Sequence, residues 1–187
     1  MTGAIGSAMA ANQPLWPWQW LMTDERLGDR LWEAVGHLPG GAGIIFRHYR
    51  LPDSDRLALG LQVARLAGAR NLALGVAGSR QLAERLGASL VHNPDGPGDL
   101  PCSMAVHDET EARAANEAGA VLAFVAPIYA TKSHRGRPPL GPERAMELAA
   151  LAGCRAIALG GMDQTRFDAL GERGFYGFAG ISCWLRT

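Results

Sequence analysis

The chain has few of the features that would direct it to a membrane, a polyanion or an oxidising compartment. No apolar run approaches the ~20 residues that span a bilayer. Eighteen basic residues are balanced by eighteen acidic ones in 187, so no global field favours nucleic acid or a membrane surface. The three cysteines, Cys102, Cys154 and Cys183, are far apart in the sequence. Their spacing offers neither a zinc knuckle nor a disulfide framework, and they read as buried, reduced thiols. The five histidines show no H-x-x-x-H pairing, which leaves no metal site to assign. The first dozen residues, rich in Ala and Gly, lack the basic and apolar regions of a secretion signal. Residues 1–14 are therefore expected to be a disordered tail and 15–187 one domain, in a soluble cytoplasmic protein.

Glycine is plentiful, with 24 residues, and suits tight strand-to-helix turns. The most informative stretch is 121–141, VLAFVAPIYATKSHRGRPPLG. It opens as a continuous apolar run of the kind found in strands buried on both faces. Pro127 cannot donate to a ladder and ends the strand. A polar, basic loop follows, Thr131, Lys132, Ser133, His134 and Arg135, and Gly141-Pro142-Glu143 starts a helix.

The same alternation runs along the whole chain. Strands are predicted at 20–22, 44–46, 71–76, 88–91, 102–106, 121–125, 155–159 and 176–181. Helices are predicted from Thr23 or Asp24 to about Val35, from Pro52 through Leu66 with Gly68 marking the end, and over 81–86. Three more run to about Glu117, over 141–152, and from Asp163 or Thr165 to about Glu172. Residues 94–100 hold too many Gly and Pro to form a helix, and only six residues follow the last strand. Eight βα units of this length predict an α/β fold, a small (β/α)8 TIM barrel with a short fourth connection and no full eighth helix. An open doubly wound sheet is the alternative, but no G-x-G-x-x-G turn supports it. The tryptophans at 16, 18 and 20 could plug the bottom of the barrel or cover a subunit interface.

In such a barrel the residues after each strand meet at one mouth. His48, His92, His107 and His134 fall there, and imidazoles titrate near neutrality. The catalytic candidates are His134, His107 and His48. Gly160 and Gly161 after strand seven, with Ile181 and Ser182 after strand eight, fit a phosphate cradle of bare backbone amides. Thr131, Ser133 and Arg135 could add hydroxyl and cationic contacts.

With these elements in order, the chain resembles the thiamine phosphate synthase and TenI (thiazole tautomerase) superfamily. The resemblance rests on WLMTDERL, IIFRHYRL, VHN, AVHDETEARAANEAGA, APIYATKSH, IALGGM and GFAGIS, in that order. It implies a barrel that binds a thiazole phosphate and, in the synthase, joins it to a pyrimidine pyrophosphate with loss of pyrophosphate. It also implies self-association, while the balanced charge argues against a nucleic-acid or membrane partner. Gly161, Ile181 and Ser182 match the phosphate side, Arg47 matches an arginine on the pyrimidine pyrophosphate, and Thr131 and Ser133 match the pyrophosphate loop. Elsewhere the family pattern is replaced. Tyr49 stands for a lysine, Val76-Ala77 for an Asn-Asp pair serving pyrimidine and magnesium, Ala105 for a serine and His134 for a lysine. The acidic ligand after strand four is missing unless Asp95 supplies it, and the TenI catalytic histidine falls on Pro127.

Departure of pyrophosphate needs a divalent cation and positive charge, whereas a tautomerase needs a phosphate anchor and an acid–base group. The exchanges therefore favour TenI-like proton transfer without a cofactor. Magnesium enters only if the chain is a true synthase. A non-catalytic regulatory barrel, or a different phosphate-handling isomerase or lyase on the same scaffold, are the other readings.

Overall fold

The computed structural model of the protein describes residues 16–131, 138–171 and 174–186. The predicted tail at 1–14 lies outside them. Eight parallel strands close on themselves in sequence order. They are β1 (Gln19–Met22), β2 (Gly43–Phe46), β3 (Ala73–Ala77), β4 (Leu90–His92), β5 (Cys102–Val106), β6 (Leu122–Val125), β7 (Arg155–Ala158) and β8 (Gly177–Gly180). The seam is the pairing of β1 with β8, Leu21 opposite Gly180. The helices are α1 (Arg30–His37), α2 (Asp53–Ala69), α3 (Arg80–Arg85), α4 (Glu109–Glu117), α5 (Gly141–Ala152) and α6 (Gln164–Leu170). No helix separates β4 from β5, and β8 is followed by a 3-10 turn, Ser182–Trp184. No helix among the described residues is long and apolar enough to cross a membrane.

Strand alternation sorts the apolar residues into two cores. Leu21, Ile44, Phe46, Val76, Val125 and Phe178 face the helices. Trp20, Met22, Ile45, Ala77, Leu90, Phe124 and Ile157 fill the barrel. The tryptophan-rich start follows the same alternation. Trp16 and Trp20 belong to the barrel interior, while Trp18 points out and packs on Phe167 and Phe178 with ring centroids 5.8 and 6.0 Å away.

The last helix stops at Leu170, short of the expected Glu172, and the first two helices depart further from the expectation. The helix predicted from Thr23 or Asp24 to Val35 is split. Asp24 accepts from the Arg26 N–H at 3.0 Å and caps only a 3-10 turn, Glu25–Leu27. Gly28 then adopts φ +48°, which breaks the helical path before α1. The second helix runs past Gly68 to Ala69. The left-handed residue that ends it is Asn71, φ +54°, since asparagine tolerates that conformation.

Candidate active site

The mouth of the barrel holds an open cleft of about 420 Å³ on the side of β6, β7 and β8. Six of the residues expected from the sequence line it together: Arg47, Thr131, Gly160, Gly161, Ile181 and Ser182. Three others, Ser133, His134 and Arg135, lie outside the described residues.

The chain after β7 is shaped by two glycines. Gly160 has φ +93° and Gly161 φ +64°. A Cβ on Gly160 would lie 2.6 Å from the Pro127 Cα, and one on Gly161 2.9 Å from the Ala130 carbonyl oxygen. The loop is therefore pressed against the segment after β6, and backbone bonds from Ile128 N–H to Leu159 O and Tyr129 N–H to Gly160 O fasten the two. Among the described residues the amides of Gly161, Met162 and Ser182 donate to no protein oxygen. That suits an anion at this spot. Ser182 opens the 3-10 turn, which is pinned from below by the Trp184 indole N–H donating to Trp20 O at 3.1 Å.

Arg47 closes the cleft from the β2 side. Its Nε donates to Thr23 O at 2.6 Å and its Nη2 to Asp24 Oδ2 at 3.2 Å. Burial pulls the guanidinium below the ordinary arginine range, and Asp24 offsets part of that. Burial alone would raise the Asp24 carboxyl, but hydrogen bonds from Arg26 and the charges of Arg26 and Arg47 outweigh it and hold it low.

The other expected histidines do not line this cleft. His48 is buried and stacks on Phe46, ring centroids 5.0 Å apart. Its Nδ1 is 3.0 Å from the Thr23 hydroxyl, which in turn accepts the Arg47 N–H at 2.9 Å. Burial lowers its pKa. His107 donates from Nδ1 to Glu111 Oε2 at 2.7 Å, and its backbone N–H reaches the same oxygen at 2.7 Å. That carboxylate belongs to the first turn of α4, whose cap is Asp108, so the pair reads as a variant capping box.

Beneath the other half of the mouth, His92 is buried with its Nδ1 3.1 Å from Ser103 Oγ. Its ring meets Phe124 edge-on at 5.1 Å. The residues there do not fit a magnesium site. Val76 faces the helices and Ala77 the barrel core. Asp95 accepts from the Arg80 N–H at 3.3 Å. Among the described residues no three His, Cys, Asp or Glu side chains group to hold a metal.

Sequence reasoning missed Arg166 and Asp163, which also line the cleft. Asp163 accepts from the Arg166 N–H at 2.8 Å and caps α6. The signal was available: an acidic cap three residues before a basic one, directly after Gly-Gly, returns a first-turn side chain to the loop. Cys183 lies at the cleft too, and burial pushes its thiol up to about 12, which makes it a poor nucleophile.

The family model for Thiamine monophosphate synthase matches residues 21–183. The chain belongs to that family. The match takes in β2 to β8, the second half of β1 and every lining residue of the cleft but Leu185. Among curated relatives, the Putative thiamine-phosphate synthase 2 of Aquifex aeolicus (strain VF5) is 31% identical over 82 residues. That stretch is 44% of this chain and 44% of the relative, so the chain spans less than half the length of that protein in the match. The solved Thiamine phosphate pyrophosphorylase from Pyrococcus furiosus superposes with a TM-score of 0.72 at 21% identity, covering 88% of this chain and 85% of its own. The HpcH/HpaI aldolase from Desulfitobacterium hafniense DCB-2 reaches 0.56 at 10% identity, covering 88% and 86%. At these identities the structural likenesses speak for the barrel fold alone.

Proposed function

We propose that the cleft binds a thiazole phosphate or a closely similar phosphorylated heterocycle, and that the protein catalyses TenI-like proton transfer on it. The phosphate is placed against Gly160, Gly161 and Ser182, with Arg47 and Thr131 at the flank. The observation that carries this reading is the convergence of these residues on one cleft, with amides that meet no acceptor among the described residues. Fixing the phosphate turns proton transfer into an effectively intramolecular step. The acid–base group in this reading is His134. It follows Thr131, a lining residue, by three positions, at most about 11 Å of extended chain.

Magnesium-dependent displacement of pyrophosphate is disfavoured on residue grounds. Ala77 presents a methyl group where the synthase pattern has a carboxylate, and no acidic cluster replaces it among the described residues. A non-catalytic ligand-binding barrel is the second reading, favoured by the engagement of His48 and His107 away from the cleft.

Calorimetric titration with thiazole phosphate and with its unphosphorylated alcohol tests the binding. The phosphate is expected to bind and the alcohol to bind far more weakly. Equal affinity would remove the phosphate anchor. Turnover is then followed with and without a chelator. Activity lost to chelation and restored by magnesium would instead establish the synthase. Turnover unchanged in His134→Asn would remove that histidine's role, and tight binding with no turnover would leave the non-catalytic barrel.

A further inference from the structure

We propose that Arg166 is the cationic wall of the anion subsite and tunes it to the dianion of a phosphate monoester. The inference rests on the phosphate reading of the cleft and adds to it a specificity residue. Backbone amides supply directional donors but no net charge, and the acid beside them works against an anion. Asp163 lines the same cleft, its carboxylate spent on capping α6. A dianion brought to the Gly160-Gly161 loop would have that negative charge in the same cleft.

Arg166 offsets it. The side chain turns back over the loop, Nη1 donates to Gly161 O, and the guanidinium carbon sits 5.1 Å from the centre of the Tyr129 ring. Two contacts thus hold an otherwise exposed side chain in one place, so little ordering remains when a ligand arrives. Nη1 is occupied, and among the described residues Nε and Nη2 meet no protein acceptor. They form the edge that can bind a phosphate as a fork.

Arg47 differs in kind. Its Nε is spent on Thr23 O and its Nη2 on Asp24, a carboxylate it shares with Arg26. Arg166 is in no ion pair among the described residues, and its charge is available to the ligand.

Inorganic phosphate titrated into the full chain by calorimetry tests this, at low and high salt and on both sides of the phosphate's second ionisation. The wild type should bind more tightly as the dianion forms. Arg166→Gln should weaken binding by roughly 10- to 100-fold, the effect of a lost charge-assisted hydrogen bond, and flatten the rise with pH. Arg166→Lys should recover only part of the affinity, because it lacks the planar fork. Gln binding phosphate as the wild type does would overturn the role of Arg166 and leave the phosphate reading standing. Equal losses at both pH values would reduce Arg166 to a support for Gly161, again overturning the proposal. A wild type that binds neither phosphate nor thiazole phosphate would bring down the phosphate reading and this inference together.

Discussion

The Trp20 ring occupies the space into which a side chain at Gly43 would project: a Cβ built on Gly43 would overlap the six-membered part of the indole. The two residues are register partners across β1 and β2. The largest side chain of the barrel interior is thus accommodated by the absence of one next door, the alternation of large and small that lets layers interlock. Gly43→Ala should cost about 1–3 kcal/mol through overpacking, read by urea denaturation. Trp20→Ala should cost about 3–5 kcal/mol through the cavity it leaves. If Gly43→Ala proved neutral, the indole would have to lie elsewhere.

Thr23 ties two functional segments together. Its buried hydroxyl accepts the Arg47 N–H and faces His48 Nδ1. Thr23→Val keeps the shape but strands a buried donor, which costs about 1–3 kcal/mol. It should also loosen Arg47 and weaken thiazole phosphate binding in a titration. Lowered stability with wild-type affinity would show that Arg47 keeps its place without the hydroxyl.

Gly160→Ala and Gly161→Ala each force a side chain into a left-handed backbone with no room for a methyl. A strained position of this kind costs on the order of 1–3 kcal/mol. Ser182→Ala removes only a hydroxyl from an exposed turn, so its melting temperature without ligand should equal that of the wild type. The ligand-induced rise in melting temperature should shrink in all three. An undiminished rise in Ser182→Ala would leave only the backbone amide as that residue's contribution, and an undiminished rise in Gly161→Ala would place the phosphate elsewhere in the cleft.

The pH dependence of stability should carry the mark of His92. Burial, reinforced by the positive charge of Arg47 and His107, pushes this imidazole from 6.5 down to about 3. Between those values the unfolded chain holds a proton that the folded chain does not. Stability is therefore full above about pH 6.5 and falls on acidification, with a limiting slope near 1.4 kcal/mol per pH unit. His48, also lowered, acts in the same direction. Urea unfolding between pH 7 and pH 5 measures the slope, and His92→Gln should reduce it. An unchanged slope in that variant would mean that other groups carry the acid sensitivity.

Much of the fold could be read from the sequence because its signals are local. Continuous apolar runs marked β2 and β6, Asp163 marked a helix start, and the start of α5 followed from Gly141-Pro142-Glu143. The split after Leu27 was harder, since Asp24 caps a 3-10 turn as readily as a helix and Gly28 alone carries the break. Half of the mouth was legible for the same reason as the fold: Gly160-Gly161 and Ser182 sit next to strand ends. Histidine placement was not, because a residue after a strand can face the cleft, the helices or a neighbouring cap. His48 and His107 took the latter two courses, His48 by stacking on Phe46 and meeting Thr23 just after the neighbouring β1, His107 by pairing with Glu111 on the next helix. Arg166 was overlooked because its side chain runs backwards along the helix, toward a loop five residues earlier.

The seam between β1 and β8 gives the barrel a definite order of assembly. Partners such as Leu21 and Gly180 are among the most distant in the chain, and contacts of that span are slow to form. Trp184, two residues after Ser182, fastens the far side of that seam to Trp20, so the anion-binding loops reach their positions only when the cylinder shuts. A barrel caught half-formed would have its strands and most of its helices but no place for a phosphate. Recovery of ligand binding during refolding should therefore trail recovery of helical signal, and the lag would time the closing of the ring.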